Sequence, residues 1–157
     1  MVTYVKGDAT NPIGDGPKII THICNDEGAW GAGFVLAVDK LSSRPKRFYK
    51  NEYAFYVNNG YAFIPLGMID IIPVGGNMYV CNMIAQHRTA KTVAKPICYK
   101  SLEICLTKVA EYAVAENATV HMPRIGCGLA GGDWNVVESI INRTLTLRDV
   151  DVTVYDL

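Results

Sequence analysis

The residues best suited to hold a phosphate lie in one stretch, Met122-Pro123-Arg124-Ile125-Gly126-Cys127-Gly128-Leu129-Ala130-Gly131-Gly132-Asp133-Trp134. It places four glycines in seven positions, between a β-like run ending at Met122 and a helix-like run starting at Trp134. Glycine lets the backbone turn sharply and approach a ligand closely. A helix start adds unpaired N–H groups and partial positive charge. Together they predict a site for a phosphorylated ligand. A second loop of this kind runs through His22-Ile23-Cys24-Asn25-Asp26-Glu27-Gly28-Ala29-Trp30-Gly31-Ala32-Gly33-Phe34. Asn25 can donate to and accept from ribose hydroxyls, or close its own turn. Gly31 to Gly33 can offer N–H groups to phosphate. Two such loops in one small domain could grip two parts of one ligand.

Other phosphate motifs fit less well. Gly126-x-Gly128-x-x-Gly131 formally matches the dinucleotide fingerprint, and Asp156 stands where a ribose-binding acid would follow. That fingerprint normally opens several βα units, yet only one helix and one strand follow here. A Walker loop is excluded because Gly132-Asp133 follows Gly131 in place of Lys-Ser/Thr. A cysteine-phosphatase loop is excluded because Asp133, not arginine, lies six residues after Cys127. Cys127 is either a thiol activated by the helix start or a small filler between glycines. Asp8, after Gly7, could accept from an adenine amino group or cap the next turn. His22 is a possible general base or phosphate ligand, or a structural strand histidine. His87 is similarly placed at a strand end, and His121 reads as structural. Asp133 suits an N-cap ahead of Trp134.

Strands are predicted at residues 2–5, 18–24, 61–73, 78–84, 120–123 and 152–155, with Gly75-Gly76-Asn77 joining two of them as a hairpin. Helices are predicted at 34–41, 45–53, 96–115 and 134–147. The third has the clearest period, with Cys98, Leu102, Cys105, Val109 and Tyr112 forming an apolar stripe. Interleaved strands and helices predict one α/β domain over residues 1–157, a mixed sheet with helices on both faces.

The formal net charge is zero, so no general hold on nucleic acid is expected. The cluster Arg44, Lys46, Arg47 and Lys50 reads as a solvated helix face. No apolar run reaches membrane-spanning length, and no signal-peptide form opens the chain. The five scattered cysteines lack a CxxC pair and fit reduced thiols. A cytoplasmic monomer that needs no cofactor or metal is the expectation.

These loops, in this order, resemble the macrodomain family, whose members bind ADP-ribose on a three-layer α/β/α sandwich. Gly7-Asp8 resembles the family's adenine motif, and His22 to Asn25 with Gly31-Ala32-Gly33 its distal-ribose loop. Residues 122–134 resemble the diphosphate loop, and Val152 to Asp156 the strand beside the adenine. The resemblance implies ligand contacts at Asp8, Ala9, Asn25, Gly31, Ala32, Gly33, Phe34, Gly126, Cys127, Gly128, Leu129, Ala130, Gly131, Gly132 and Tyr155, with His22 and Asn25 nearest the chemistry. Cys24-Asn25-Asp26, Asn82-Met83-Ile84-Ala85-Gln86-His87 and residues 123–132 resemble the branch of ADP-ribose-1″-phosphate phosphatase-like proteins and terminal ADP-ribose protein glycohydrolases. The implied activity is hydrolysis of an ADP-ribose derivative. The glycohydrolases' lysine and aspartate are placed at Met83 and Ala130. Methionine cannot form a Schiff base and alanine cannot move a proton, which disfavours that mechanism.

Overall fold

The computed structural model describes residues 2–157. Its strands are β1 (Val2–Lys6), β2 (Lys18–Asn25), β3 (Ile69–Gly75), β4 (Met78–Gln86), β5 (Thr119–Met122) and β6 (Val152–Asp156). Its α-helices are α1 (Val35–Leu41), α2 (Arg44–Asn58), α3 (Tyr99–Glu116) and α4 (Trp134–Thr144), and a 3₁₀ turn (Thr146–Arg148) follows α4. The six strands form one sheet in the order β1-β6-β5-β2-β4-β3. All neighbours run parallel except β3, which pairs antiparallel with β4.

Helices on both faces explain why β2 and β4 read as nearly unbroken apolar runs. Ile19, Cys81, Met83 and Ala85 pack on one face with Leu102, Cys105 and Val109 of α3 and Val137, Ile140 and Ile141 of α4. Ile20, Cys24, Val80 and Ile84 pack on the other with Val35 and Val38 of α1 and Tyr49 of α2. The expected three-layer sandwich is present. Gly76 and Asn77 make the β3–β4 turn with φ of 57° and 62°, the paired positive values that a two-residue hairpin favours.

Several predicted boundaries differ, three of them for reasons visible in the packing. Residues 61–68 are irregular, and β3 begins only at Ile69. Pro65 has no N–H for a ladder, and the segment is tied elsewhere, by Ile64 N–H to the Asp26 carbonyl and Gly67 N–H to the Ile84 carbonyl. Helix α2 runs past residue 53 to Asn58, because Tyr53 and Tyr56 keep packing on the core. Helix α3 starts at Tyr99, not Pro96, because Ile97 is still bridged to Gln86.

Candidate functional site

A cleft of about 790 Å³ lies beyond the C-terminal ends of β2, β4 and β5. Parallel strands deliver their following loops to this one end, which brings the two glycine loops together. His22, Asn25, Gly31, Ala32, Gly33, Phe34, Gly126, Gly128, Leu129 and Ala130 all line it. The expectation that both loops face one cavity therefore holds.

The loop after β5 is folded on itself. Cys127 N–H donates to the Arg124 carbonyl at 3.3 Å, Gly131 N–H to Gly128 at 3.1 Å and Gly132 N–H to Gly126 at 2.7 Å. These three N–H groups are spent, a correction to the idea that the whole run 126–132 faces the ligand. Cys127, Gly131 and Gly132 are outside the cavity lining. Among the described residues, the N–H groups of Gly126, Gly128, Leu129 and Ala130 have no protein acceptor. Nor is Cys127 an activated thiol, since burial raises its pKa.

The loop after β2 depends on Asn25. Its Oδ1 accepts from Glu27 N–H (3.0 Å), Ala29 N–H (3.1 Å) and the Tyr49 hydroxyl (2.7 Å), and its Nδ2 donates to the Ala29 carbonyl (2.6 Å). The turn-closing alternative is the realised one. The second Nδ2–H has no partner among the described residues, whereas the oxygen is fully engaged. Beyond this knot, the N–H groups of Gly31, Ala32, Gly33, Phe34 and Val35 have no protein acceptor among the described residues. Trp30 is held by its indole N–H donating to Asp39 at 2.9 Å.

His22 sits in the cleft wall, 2% exposed, against Trp30 and Phe34. Asn82 gives its amide N–H to the Pro45 carbonyl and so aims Oδ1 at His22 Nε2, 2.7 Å away. That fixes Nε2–H as the donor and leaves the lone pair on Nδ1. Burial pushes the imidazole pKa down to about 4, so His22 is neutral and a weak base near pH 7. Of the alternatives open for His22, this environment disfavours the general base.

The expected adenine residues lie outside the cavity lining. Asp8 Oδ1 accepts from Thr10 N–H and Oγ1 at 2.8 and 2.7 Å, closing its own turn. Ala9 is buried. Tyr155 is 4% exposed, and its hydroxyl is taken by Ile13 N–H at 3.0 Å and His121 Nδ1 at 2.7 Å. The ring is thus enclosed and lies outside the cleft lining, away from the ligand contact that the resemblance implies. His121 is structural, as read. His87 faces the Asp26 carboxylate at 2.7 Å, and Asp133 caps α4 by accepting from Asn135 N–H. No group of three or more His, Cys, Asp or Glu able to hold a metal occurs among the described residues. No helix among them is long and apolar enough to cross a membrane.

No protein-family model matches the chain. It is 30% identical, over 98% of its residues, to the Chromodomain-helicase-DNA-binding protein 1-like of Mus musculus, but spans only 17% of that relative's length. It is also 30% identical to the ADP-ribose 1''-phosphate phosphatase of Candida albicans, over 90% of this chain and 92% of the relative. A macrodomain protein from Streptomyces coelicolor is 41% identical and superposes with a TM-score of 0.87, covering 100% of this chain and 99% of that one. The chain belongs to the macrodomain family.

Within this macrodomain, Met83, taken as the counterpart of the glycohydrolase lysine, does not lie at the strand end where that lysine is expected. It is fully buried in mid-strand and packs on the α3 and α4 side. The cleft-lining residue at the end of β4 is Gln86. Glutamine also lacks an amine nucleophile, so the chemical conclusion survives the correction. Ala130 does line the cleft and has no proton to move. Sequence reasoning missed the charged lining residues Glu27, Lys91 and Arg124. Arg124 was visible two positions before the first loop glycine, but it carried no signal of what would orient it.

Proposed function

We propose that this macrodomain binds ADP-ribose across the cleft and hydrolyses an ADP-ribose derivative, with ADP-ribose 1″-phosphate as the first candidate. One observation carries the reading: two sets of unpaired backbone N–H groups, at residues 31–35 and at Gly126, Gly128, Leu129 and Ala130, border a single cavity. Preorganised donors of this kind suit a bent diphosphate. Each can contribute about 3 kcal/mol where negative charge develops in the transition state. The name of the Candida albicans relative supports the same substrate.

In the proposed reaction, water attacks the phosphorus and the bond from phosphorus to O1″ breaks. Inorganic phosphate leaves, and the proton lost by water ends on the freed 1″-oxygen. The free N–H groups of residues 31–35 hold the terminal phosphate, and the remaining Nδ2–H of Asn25 meets the distal ribose. With His22 held neutral and weakly basic, the substrate's own phosphate is the first candidate to take the water proton. The test is release of inorganic phosphate from ADP-ribose 1″-phosphate. Turnover above background is expected.

A second reading, a non-catalytic ADP-ribose reader or scavenger, is favoured by Gln86 and Ala130, which supply neither nucleophile nor acid. It predicts calorimetric binding of ADP-ribose with no phosphate released. Product from ADP-ribosylated protein or nucleic acid, with none from the 1″-phosphate, would instead point to a de-ADP-ribosylating hydrolase without the lysine mechanism.

A further inference from the structure

Resting on the ADP-ribose reading, we propose that Arg124 is the stacking platform for the adenine base, a specificity-determining role for a residue with no part in holding the diphosphate. Arg124 lines the cleft immediately after β5. Its Nε and Nη2 donate to both oxygens of Asp156, at 2.8 and 3.0 Å. Its guanidinium carbon lies 5.0 Å from the Tyr4 ring centroid and 5.1 Å from that of Trp134. Those rings meet edge to face at 79°, and Trp134 donates its indole N–H to the Tyr4 hydroxyl. Tyr4 is bonded in turn to Glu138. Residues from β1, β6 and α4 thus fix one arginine whose side chain is still 40% exposed.

Surface ion pairs usually add little stability and leave the side chain mobile. Nothing in the fold requires this one, because β1 and β6 are already joined by five ladder pairs and α4 is seated by its own apolar face. What the arrangement does produce is a flat, delocalised cation anchored in the cleft wall. Such a plane suits an aromatic base. It suits a phosphate less well, because the Asp156 carboxylate already offsets the charge and takes the Nε–Nη2 edge. The corner is right for adenine. Gly7 N–H donates to the Asp156 carbonyl at 2.7 Å, so Asp8, whose second carboxylate oxygen has no partner among the described residues, starts beside Arg124's anchor. Tyr155, the other aromatic group at the end of β6, is enclosed.

The experiment compares calorimetric binding of ADP-ribose and of base-free diribosyl diphosphate to the wild type, Arg124→Ala and Arg124→Lys. Arg124→Ala is expected to weaken ADP-ribose about tenfold, within the range of base stacking, and to leave the base-free ligand unchanged. Lysine keeps the charge but not the plane and should restore nothing. Equal loss for both ligands, or recovery by lysine, would make Arg124 a phosphate contact and overturn the proposal. An unchanged ADP-ribose affinity in Arg124→Ala overturns it too. Wild-type protein that binds neither ligand would defeat the functional reading itself, and this assignment with it. Thermal melts of both variants check that the fold is intact, which a site 40% exposed should allow.

Discussion

The four glycines of the loop after β5 look alike in the sequence and differ in the structure. Gly126 has φ +72°, and a Cβ there would run into Ile97. Gly132 has no such φ, but its Cβ would lie 2.5 Å from the Gly126 carbonyl oxygen. Gly128 is neither strained nor crowded, with nothing within 4 Å of an added Cβ. Gly128→Glu should therefore keep the fold, with a stability change of no more than about 0.5 kcal/mol. It places an anion in the phosphate site, where like charge costs several kcal/mol, and ADP-ribose affinity should fall more than about a hundredfold. Gly132→Ala should destabilise by about 1–3 kcal/mol, as forced overpacking does. Denaturant melts and calorimetry on the two variants separate these effects. Tight binding retained by Gly128→Glu would displace the diphosphate from this loop. The cluster itself was legible because glycine is rare at such density. Which glycine the fold itself requires was not legible, because φ and the neighbour Ile97 come from packing distant in sequence.

At the scale of elements, two carboxyl groups lie close together where α2 meets β3. Glu52 of α2 is raised to about 8, first by burial and then by the neighbouring Asp70 carboxyl group of β3. Between about pH 4.5 and 8 the folded chain keeps a proton that the unfolded chain has lost, so stability falls as pH rises through that window. His22 and His121 act in the opposite sense. Burial lowers both to about 4. Below 6.5 the unfolded chain takes up protons that the folded chain refuses, and stability falls as pH drops towards 4. Above pH 6.5 the histidines are neutral in both states, and Glu52 makes stability fall towards pH 8. Glu52→Gln should flatten the alkaline arm, read as Tm between pH 6.5 and 8, and an undiminished decline there would remove Glu52 as the proton's holder. No sequence pattern announced this pair, because residues 61–68 were read as strand and β3 was placed too early. The stripe of α3 was legible, since Leu102, Cys105 and Val109 meet one core face as their spacing demands.

Across the whole molecule, the two donor loops are rooted on opposite sides of the sheet. The loop after β2 leads into α1, which packs with Ile20 and Ile84, whereas the loop after β5 leads into α4, which packs with Ile19 and Met83. A ligand that spans the cleft would join the two helical layers through groups that otherwise lack protein partners. This convergence was legible from chain order, since parallel strands send their following loops to one end. The setting of Arg124 was not, because its contacts with Tyr4 and Trp134 join residues far apart in the chain. Binding confined to the folded state stabilises by about 2.7 kcal/mol at a ligand concentration of 100 Kd. For a chain of this size that corresponds to a Tm rise of about 5–10 °C. Hydrogen exchange should slow at residues 31–35 and at Gly126, Gly128, Leu129 and Ala130 together, while Gly131 and Gly132, already bonded within their loop, change less. Protection of one loop alone would mean that ADP-ribose does not bridge the cleft, and the bent diphosphate pose would have to be abandoned.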